Sequence, residues 1–306
     1  MSQHPAITEG RVAVITGAAS GIGLAAATRL ATLGLRVCLA DLGTDALEQA
    51  AATVGAAAKQ GAADVLAVPT DVSDADAVRR LKEAAYDRFG EVAVLMNNAG
   101  TAPGGGPWDH PDRWRRVLNV NLWGVINGVQ CFTQAMIDQG TPCAIVNTGS
   151  KQGITSPPGD TAYNVSKAGV KVLTESLAHS LRNVDGCRVS AHLLVPGSTF
   201  TGMTRGAAAT KPPGAWTPDQ VIDVLLAGMA AGDFYILCPD NDVTREVDNR
   251  RILWAAEDIT RNRPALSHWH PDYKDQFAVF LASAPEPTGA PTRDARQRGR
   301  AMPQGH

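Results

Sequence analysis

The strongest restriction on the fold of this chain is a series of short apolar runs without strict alternation, separated by helix-like stretches. The runs are Arg11 to Thr16, Arg36 to Asp41, Asp64 to Val68, Val92 to Met96, Ala144 to Asn147, Arg188 to Val195 and Phe234 to Cys238. A strand covered on one face alternates apolar and polar residues, whereas one covered on both has no polar side to show. Between the runs lie Leu24 to Leu33, Asp45 to Lys59, Asp74 to Phe89, Asp112 to Gln139 and Ala162 to Leu181, and a further helix is expected to start near Pro218. Alternating β and α elements predict an α/β fold, a doubly wound parallel sheet of about seven strands with helices on both faces and right-handed crossovers.

The chain of 306 residues is long enough for one large domain or two small ones. The reading divides it into a main domain over 1–240, an extension of the same domain over 241–282 expected to be helical, and a tail over 283–306. The tail is rich in Pro, Gly and Arg and is expected to be disordered. Ser198 to Thr217, rich in Gly, Thr, Ala and Pro, is expected to be a long mobile loop. With 28 basic and 30 acidic residues, charge makes no case for nucleic acid or membrane as the main partner. Five scattered cysteines without a Cys-x-x-Cys pair, and an N-terminus unlike a signal peptide, predict a soluble cytoplasmic protein with reduced thiols.

The first strand leads into Thr16-Gly17-Ala18-Ala19-Ser20-Gly21-Ile22-Gly23. Glycines at this strand-to-helix turn admit a tight bend and close approach of a pyrophosphate. The helix N-terminus behind them offers unpaired N–H groups and partial positive charge. The second strand ends at Asp41, whose carboxylate can accept from ribose hydroxyls and would repel a 2′-phosphate. Ala18, Ala19, Ser20 and Leu42 supply no cation to offset that repulsion, so NAD is expected over NADP. Asp71-Val72 follows the third strand, and either borders an adenine or opens the next helix. Asn98-Ala99-Gly100, after the fourth strand, lets backbone lie close to a ligand, although an ordinary Asn-rich turn reads the same way.

Tyr163 and Lys167 are four residues apart and share one face of a helix. A nearby cation favours phenolate, and lowering a tyrosine pKa by about three units takes roughly 4 kcal/mol. Ser150, after an apolar strand, is placed to hold a substrate oxygen, or is a turn serine. Asn121, within the long helix, is either functional or a buried, hydrogen-bonded amide.

Taken in order, Thr16-Gly17-x-x-x-Gly21-Ile22-Gly23, Asp71, Asn97-Asn98-Ala99-Gly100, Asn121, Ser150, Tyr163-x-x-x-Lys167 and Pro196-Gly197-x-x-x-Thr201 resemble the short-chain dehydrogenase/reductase family over residues 11 to about 201. The resemblance implies a Rossmann sheet, NAD as hydride carrier and a homodimer or homotetramer. Tyr163 would be general acid/base and Lys167 its pKa-lowering partner and a ribose ligand. Ser150 would orient the substrate oxygen, and Asn121 would hold a relay water. Pro196, Gly197, Thr199 and Thr201 would hold the nicotinamide end. The helices near 112–139 and 162–181 would be the subunit contacts.

The last strand lacks the glycines with which many members close, and residues 241–282 are extra. The extension is expected to cover the substrate site in preference to remodelling an interface. Phe200, Met203 and Trp216 suggest a mainly apolar secondary alcohol or ketone, although they equally suit packing of the loop. A ring dihydrodiol dehydrogenase and a non-catalytic NAD-binding regulator are the alternatives. His268-x-His270 lacks an evident third ligand, so no metal is expected.

Overall fold

The computed structural model describes residues 3–43, 45–205 and 210–283. Its centre is a seven-stranded sheet in the order β3-β2-β1-β4-β5-β6-β7, with every neighbouring pair parallel. The strands are β1 (Val12–Thr16), β2 (Arg36–Asp41), β3 (Val65–Pro69), β4 (Val94–Asn97), β5 (Cys143–Thr148), β6 (Val189–Val195) and β7 (Tyr235–Leu237). The expected doubly wound fold is present, and β2 has its expected bounds.

The lack of alternation has a direct cause. Ala13 and Ile15 enter one hydrophobic core while Val14 enters the other, and in β5 Ala144 and Val146 separate in the same way from Cys143 and Ile145. Helices α1 (Gly21–Thr32), α2 (Asp45–Ala57) and α9 (Pro218–Ala231) cover the first core. Helices α3 (Ala75–Phe89), α5 (Gly124–Asp138) and α7 (Thr161–Arg182) cover the second, which holds Phe132 at 0% exposure. Truncating so fully buried a ring to alanine costs about 3–5 kcal/mol.

Order reverses between β1 and β4. The connections out of their carboxyl ends run to opposite sides of the sheet, which opens a crevice there. All the strands point the same way, so every loop leaving a carboxyl end gathers on this edge.

The expected helix over 112–139 is interrupted. It runs as α4 (Pro111–Leu118), a π-helical turn over Asn119–Trp123 that contains Asn121, and then α5. A widened i→i+5 turn leaves the apolar spacing almost unchanged, so periodicity does not reveal it. The loop after β6 is clamped at its base: Phe200 N donates to Trp216 O and Trp216 N to Ser198 O, both at 2.8 Å. It also contains a short helix, α8 (Gly202–Arg205).

The extension is helical, with α10 (Arg245–Thr260) and α11 (Lys274–Ala282). Trp254 is its core, in edge contact with Phe277 and Phe280 and under the Arg263 guanidinium at 3.9 Å. Ser283, assigned to the tail by sequence, is held by Arg250 Nη2 at 2.6 Å; the remainder of the expected tail lies outside the described residues. No described helix is long and apolar enough to cross a membrane.

Candidate active site

A cleft of about 610 Å³ follows the carboxyl edge of the sheet. Its floor begins at the glycine turn. Gly17 and Gly21 have φ of +67° and +55°, where a side chain is strained. A Cβ on Gly17 would come within 2.7 Å of Ala99 Cα, and one on Gly23 would collide with Gly17 O. These positions demand glycine for space as well as conformation. Ser20 is the N-cap of α1 but makes no side-chain cap bond, and the first turn holds no acidic residue to neutralise the helix end.

Asp41 lines the cleft at the end of β2. Its Oδ2 accepts from Ala19 N at 2.9 Å and its Oδ1 from Leu42 N at 2.8 Å. The carboxylate is thus fixed by main chain with lone pairs to spare, and Leu42 beside it is exposed. Across the crevice, Thr16 Oγ1 accepts from Asn98 N at 3.0 Å and Ala99 N at 3.1 Å, and Asn98 Nδ2 donates to Thr16 O at 3.1 Å. Asp71, Val72 and Gly100 complete this part of the lining. Asp71 Oδ1 also accepts from Ser73 N at 2.9 Å. It therefore holds the turn before α3 as well as lining the cleft, while the N-cap of α3 is Asp74.

At the far end, β5 delivers Ser150 and α7 delivers Tyr163 and Lys167 to the same cavity, beside Pro196, Gly197, Thr199 and Thr201. The Ser150 hydroxyl acts on the Tyr163 phenol in the direction that favours its ionised form. Lys167 Nζ donates to Thr148 O at 2.8 Å and lies 5.7 Å from the Tyr163 ring centroid. Burial lowers the Lys167 pKa to about 8. Burial also raises Tyr163, Asp160 adds to the rise, and Ser150 opposes it. In the protein chain alone burial thus sets the direction for Tyr163; the acidification expected from sequence draws on the positive nicotinamide as well as on Lys167.

Of the residues singled out from sequence, Gly17, Ser20, Gly21, Ile22, Asp41, Asp71, Val72, Asn98, Ala99, Gly100, Ser150, Tyr163, Lys167, Pro196, Gly197, Thr199 and Thr201 line this one cleft. Gly23 and Asn121 are absent from the lining. Gly23 backs the turn. Asn121 is fully buried; its Oδ1 accepts from Thr101 N at 2.7 Å and its Nδ2 donates to Thr101 O at 3.0 Å and Ser166 Oγ at 3.3 Å. Its side chain thus ties the π-turn to the loop following Gly100. Trp216 packs against the core under α1 and α9, which leaves Met203 as the apolar loop residue in the cleft. The cleft lining contains no residue of 241–282; the extension instead seats Trp269 Nε1 at 2.8 Å on the carbonyl of Thr155, the last residue of the short helix α6 (Gln152–Thr155) that follows Ser150.

Sequence reasoning passed over Asp160. It caps α7 by accepting from Tyr163 N at 3.2 Å, and it holds Gly104 N at 3.1 Å and Gly105 N at 3.2 Å. The available signal was an aspartate immediately before a helix start.

The short-chain dehydrogenase family model matches residues 11–212. The chain belongs to the short-chain dehydrogenase/reductase family. Among its relatives in this family is the 1-deoxy-11-beta-hydroxypentalenate dehydrogenase of Streptomyces exfoliatus, 33% identical over 85% of this chain and 94% of the relative. The NADP-dependent (R)-specific alcohol dehydrogenase of Lentilactobacillus kefiri is 34% identical over 56% of this chain and 66% of its own length. A crystal structure of a family member from Burkholderia phymatum in complex with NAD superposes with a TM-score of 0.75 at 34% identity, covering 86% of this chain and 97% of that one. Membership makes the protein an oxidoreductase whose relatives act on hydroxyl groups.

Proposed function

We propose that the protein transfers a hydride between NAD(H) and a mainly apolar secondary alcohol or ketone, with Tyr163 as general acid/base. The observation that carries this reading is the convergence of Ser150, Tyr163 and Lys167 at one end of a cleft whose other end is a glycine turn facing Asp41. The turn suits a dinucleotide because its glycines let the backbone close tightly at an uncapped helix N-terminus: a Cβ at residue 17 would strike Ala99, and one at residue 23 would strike Gly17 O. Gly17, Ser20, Gly21 and Ile22 would hold that pyrophosphate, and Asp41 the adenosine ribose. Asp71 and Val72 would border the adenine. Asn98 to Gly100 and Lys167 would face the nicotinamide ribose, with Pro196, Gly197, Thr199 and Thr201 around the nicotinamide. When bound, the nicotinamide supplies the two-electron hydride acceptor or, reduced, the donor.

The chain's own residues manage the proton and the geometry. Ser150 holds the substrate oxygen beside the phenol. In reduction, Tyr163 donates its proton to that oxygen, a role suited to a phenol whose pKa burial has raised. In oxidation, Tyr163 must first become phenolate, which requires positive charge to outweigh burial. Lys167 carries such a charge at neutral pH, because its pKa is about 8. Asn121, through the π-turn, would position a water for proton exchange. Met203 is the apolar contact offered to the substrate.

NAD is favoured over NADP because Asp41 is a fixed anion with neutral neighbours, although one relative is named as NADP-dependent. The name of the Streptomyces relative, a hydroxypentalenate dehydrogenase, supports a secondary alcohol as substrate. Exposed Trp123, Val165 and Val172, on the π-turn and α7, support a homo-oligomer, and scattered free thiols support a cytoplasmic setting. The test is a panel of alicyclic and acyclic secondary alcohols and ketones, followed by NADH absorbance with each cofactor. Absence of turnover with every compound, despite tight NADH binding, would favour the regulatory alternative.

A further inference from the structure

The residue after Ser150 is the least expected feature of the site. Lys151 is largely withdrawn from solvent: its side chain is 14% exposed, and its Nζ lies 2.7 Å from Asp248 Oδ2 and 3.3 Å from Asp240 Oδ2. Those carboxylates are 5% and 8% exposed, so the triad is an interior one. Asp248 belongs to α10 of the extension, and Asp240 follows β7.

Asp240 also reaches the opposite wall of the nicotinamide end. Its Oδ2 accepts from Ser198 N at 3.3 Å, and its Oδ1 is anchored by Val243 N at 2.8 Å. The Lys151 main chain spans the same gap, with its N–H donating to Pro196 O at 3.2 Å. The pair packs so closely on Gly197 that a Cβ there would lie 2.5 Å from Asp240 Oδ2 and 3.0 Å from Lys151 Nζ. Lys151 and Asp240 thus join the turn that presents Ser150 to the turn that runs through Gly197 to Thr199. Asp248 and the Trp269 indole on Thr155 hold the assembly from behind.

We propose that Lys151, clamped between Asp240 and Asp248, is a positioning residue that sets the Ser150 turn against the Gly197–Thr199 turn, and that the C-terminal extension acts on catalysis through it. A buried cation paired with two carboxylates is a poor source of net stability but a good source of geometric definition, since neither anion tolerates the loss of its partner. The proposal rests on the dinucleotide reading given above. It assigns the extension a role other than covering the substrate: it braces the reacting end from outside the cleft.

The test uses full-length protein and two ligands, NADH and ADP-ribose. ADP-ribose lacks only the nicotinamide, so it would use every proposed dinucleotide contact except those of the Gly197–Thr199 turn. Lys151→Met leaves two unpaired buried carboxylates and risks misfolding, so Lys151→Met/Asp248→Asn is made beside it, with Lys151→Arg as the conservative variant. For the double variant we expect ADP-ribose affinity within about twofold of wild type and thermal unfolding close to it. We expect NADH affinity or kcat on the best alcohol of the panel to fall by ten-fold or more, with substantial recovery in Lys151→Arg. A general loss of folding would weaken both ligands together, a pattern that would count against positioning. A double variant that binds NADH and turns over like wild type would overturn the proposal and leave the dinucleotide reading intact. Wild-type protein that binds neither ligand would overturn both.

Discussion

The Lys167 ammonium stands 5.7 Å from the centre of the Tyr163 ring while donating to the Thr148 carbonyl at 2.8 Å. That partner matters. A carbonyl engages a proton of the ammonium without cancelling its charge, whereas a carboxylate would have spent the field on itself. The cation is thereby kept beside a phenol whose ionisation burial opposes.

Replacing Tyr163 by Phe should lower turnover by roughly 10²–10⁴-fold, the usual worth of a positioned general acid/base. NADH binding, followed by fluorescence, should stay within a few fold. Similar turnover in both proteins would remove Tyr163 from the proposed role.

Lys167→Met tests the electrostatics directly. In the oxidative direction the rate should climb with pH as the phenol ionises. Removing a nearby positive charge raises a phenol pKa, so the climb should move to higher pH in the variant. The wild-type contribution itself fades as pH rises through about 8, where Lys167 loses its proton. Superimposable pH–rate profiles would show that the ammonium does not act on the phenol.

Cofactor choice should respond to Asp41→Ser combined with Leu42→Arg. The change removes the fixed anion and adds a cation where a 2′-phosphate would sit. A charge-assisted contact is worth about 1.5–3 kcal/mol, so the NAD/NADP ratio of kcat/KM should fall by roughly ten- to hundred-fold. An unchanged ratio would show that the end of β2 does not read the ribose.

Acid should loosen the fold from its N-terminal side. His4 donates to or accepts from Ser190 Oγ at 3.2 Å, and His192 meets the same hydroxyl at 2.9 Å. Burial, with the neighbouring His192, lowers His4 to about 3, and burial lowers His192 as well. The folded chain therefore resists protonation that the unfolded chain accepts near 6.5. Stability present above that value should be lost as pH falls toward 3, at up to about 1.4 kcal/mol per pH unit for His4. Urea titrations between pH 7 and 4 should show the decline, and His4→Gln should flatten it. Equal slopes in both proteins would contradict the assignment.

The legibility of this fold follows from how local each feature is. β2 and α7 could be read within a residue or so because both are decided by neighbouring residues: an apolar run ending at Asp41, and an unbroken helix-like stretch over 162–181. The residues that line the cleft were legible because they sit on short turns in fixed order. The π-turn around Asn121 was not, since it is a change of hydrogen-bond register inside an unbroken helical pattern. Trp216 was ambiguous because aromatic residues in a loop serve a ligand or the core equally well, and here the core takes it. The Lys151–Asp240–Asp248 triad was out of reach, because Lys151 meets partners from after the last strand and from the extension.

The lacing of Thr16 to Asn98 and Ala99 gives the groove a thermodynamic character of its own. It unites β1 with β4, the two strands in the middle of the sheet, so no local fluctuation can part the lips without breaking the most protected region of the domain. The proposed dinucleotide would meet donors and acceptors already in register there, and little chain freedom would be lost on docking. Melting of the groove and melting of the domain should accordingly be one event, with the slowest-exchanging amides found beside the ligand.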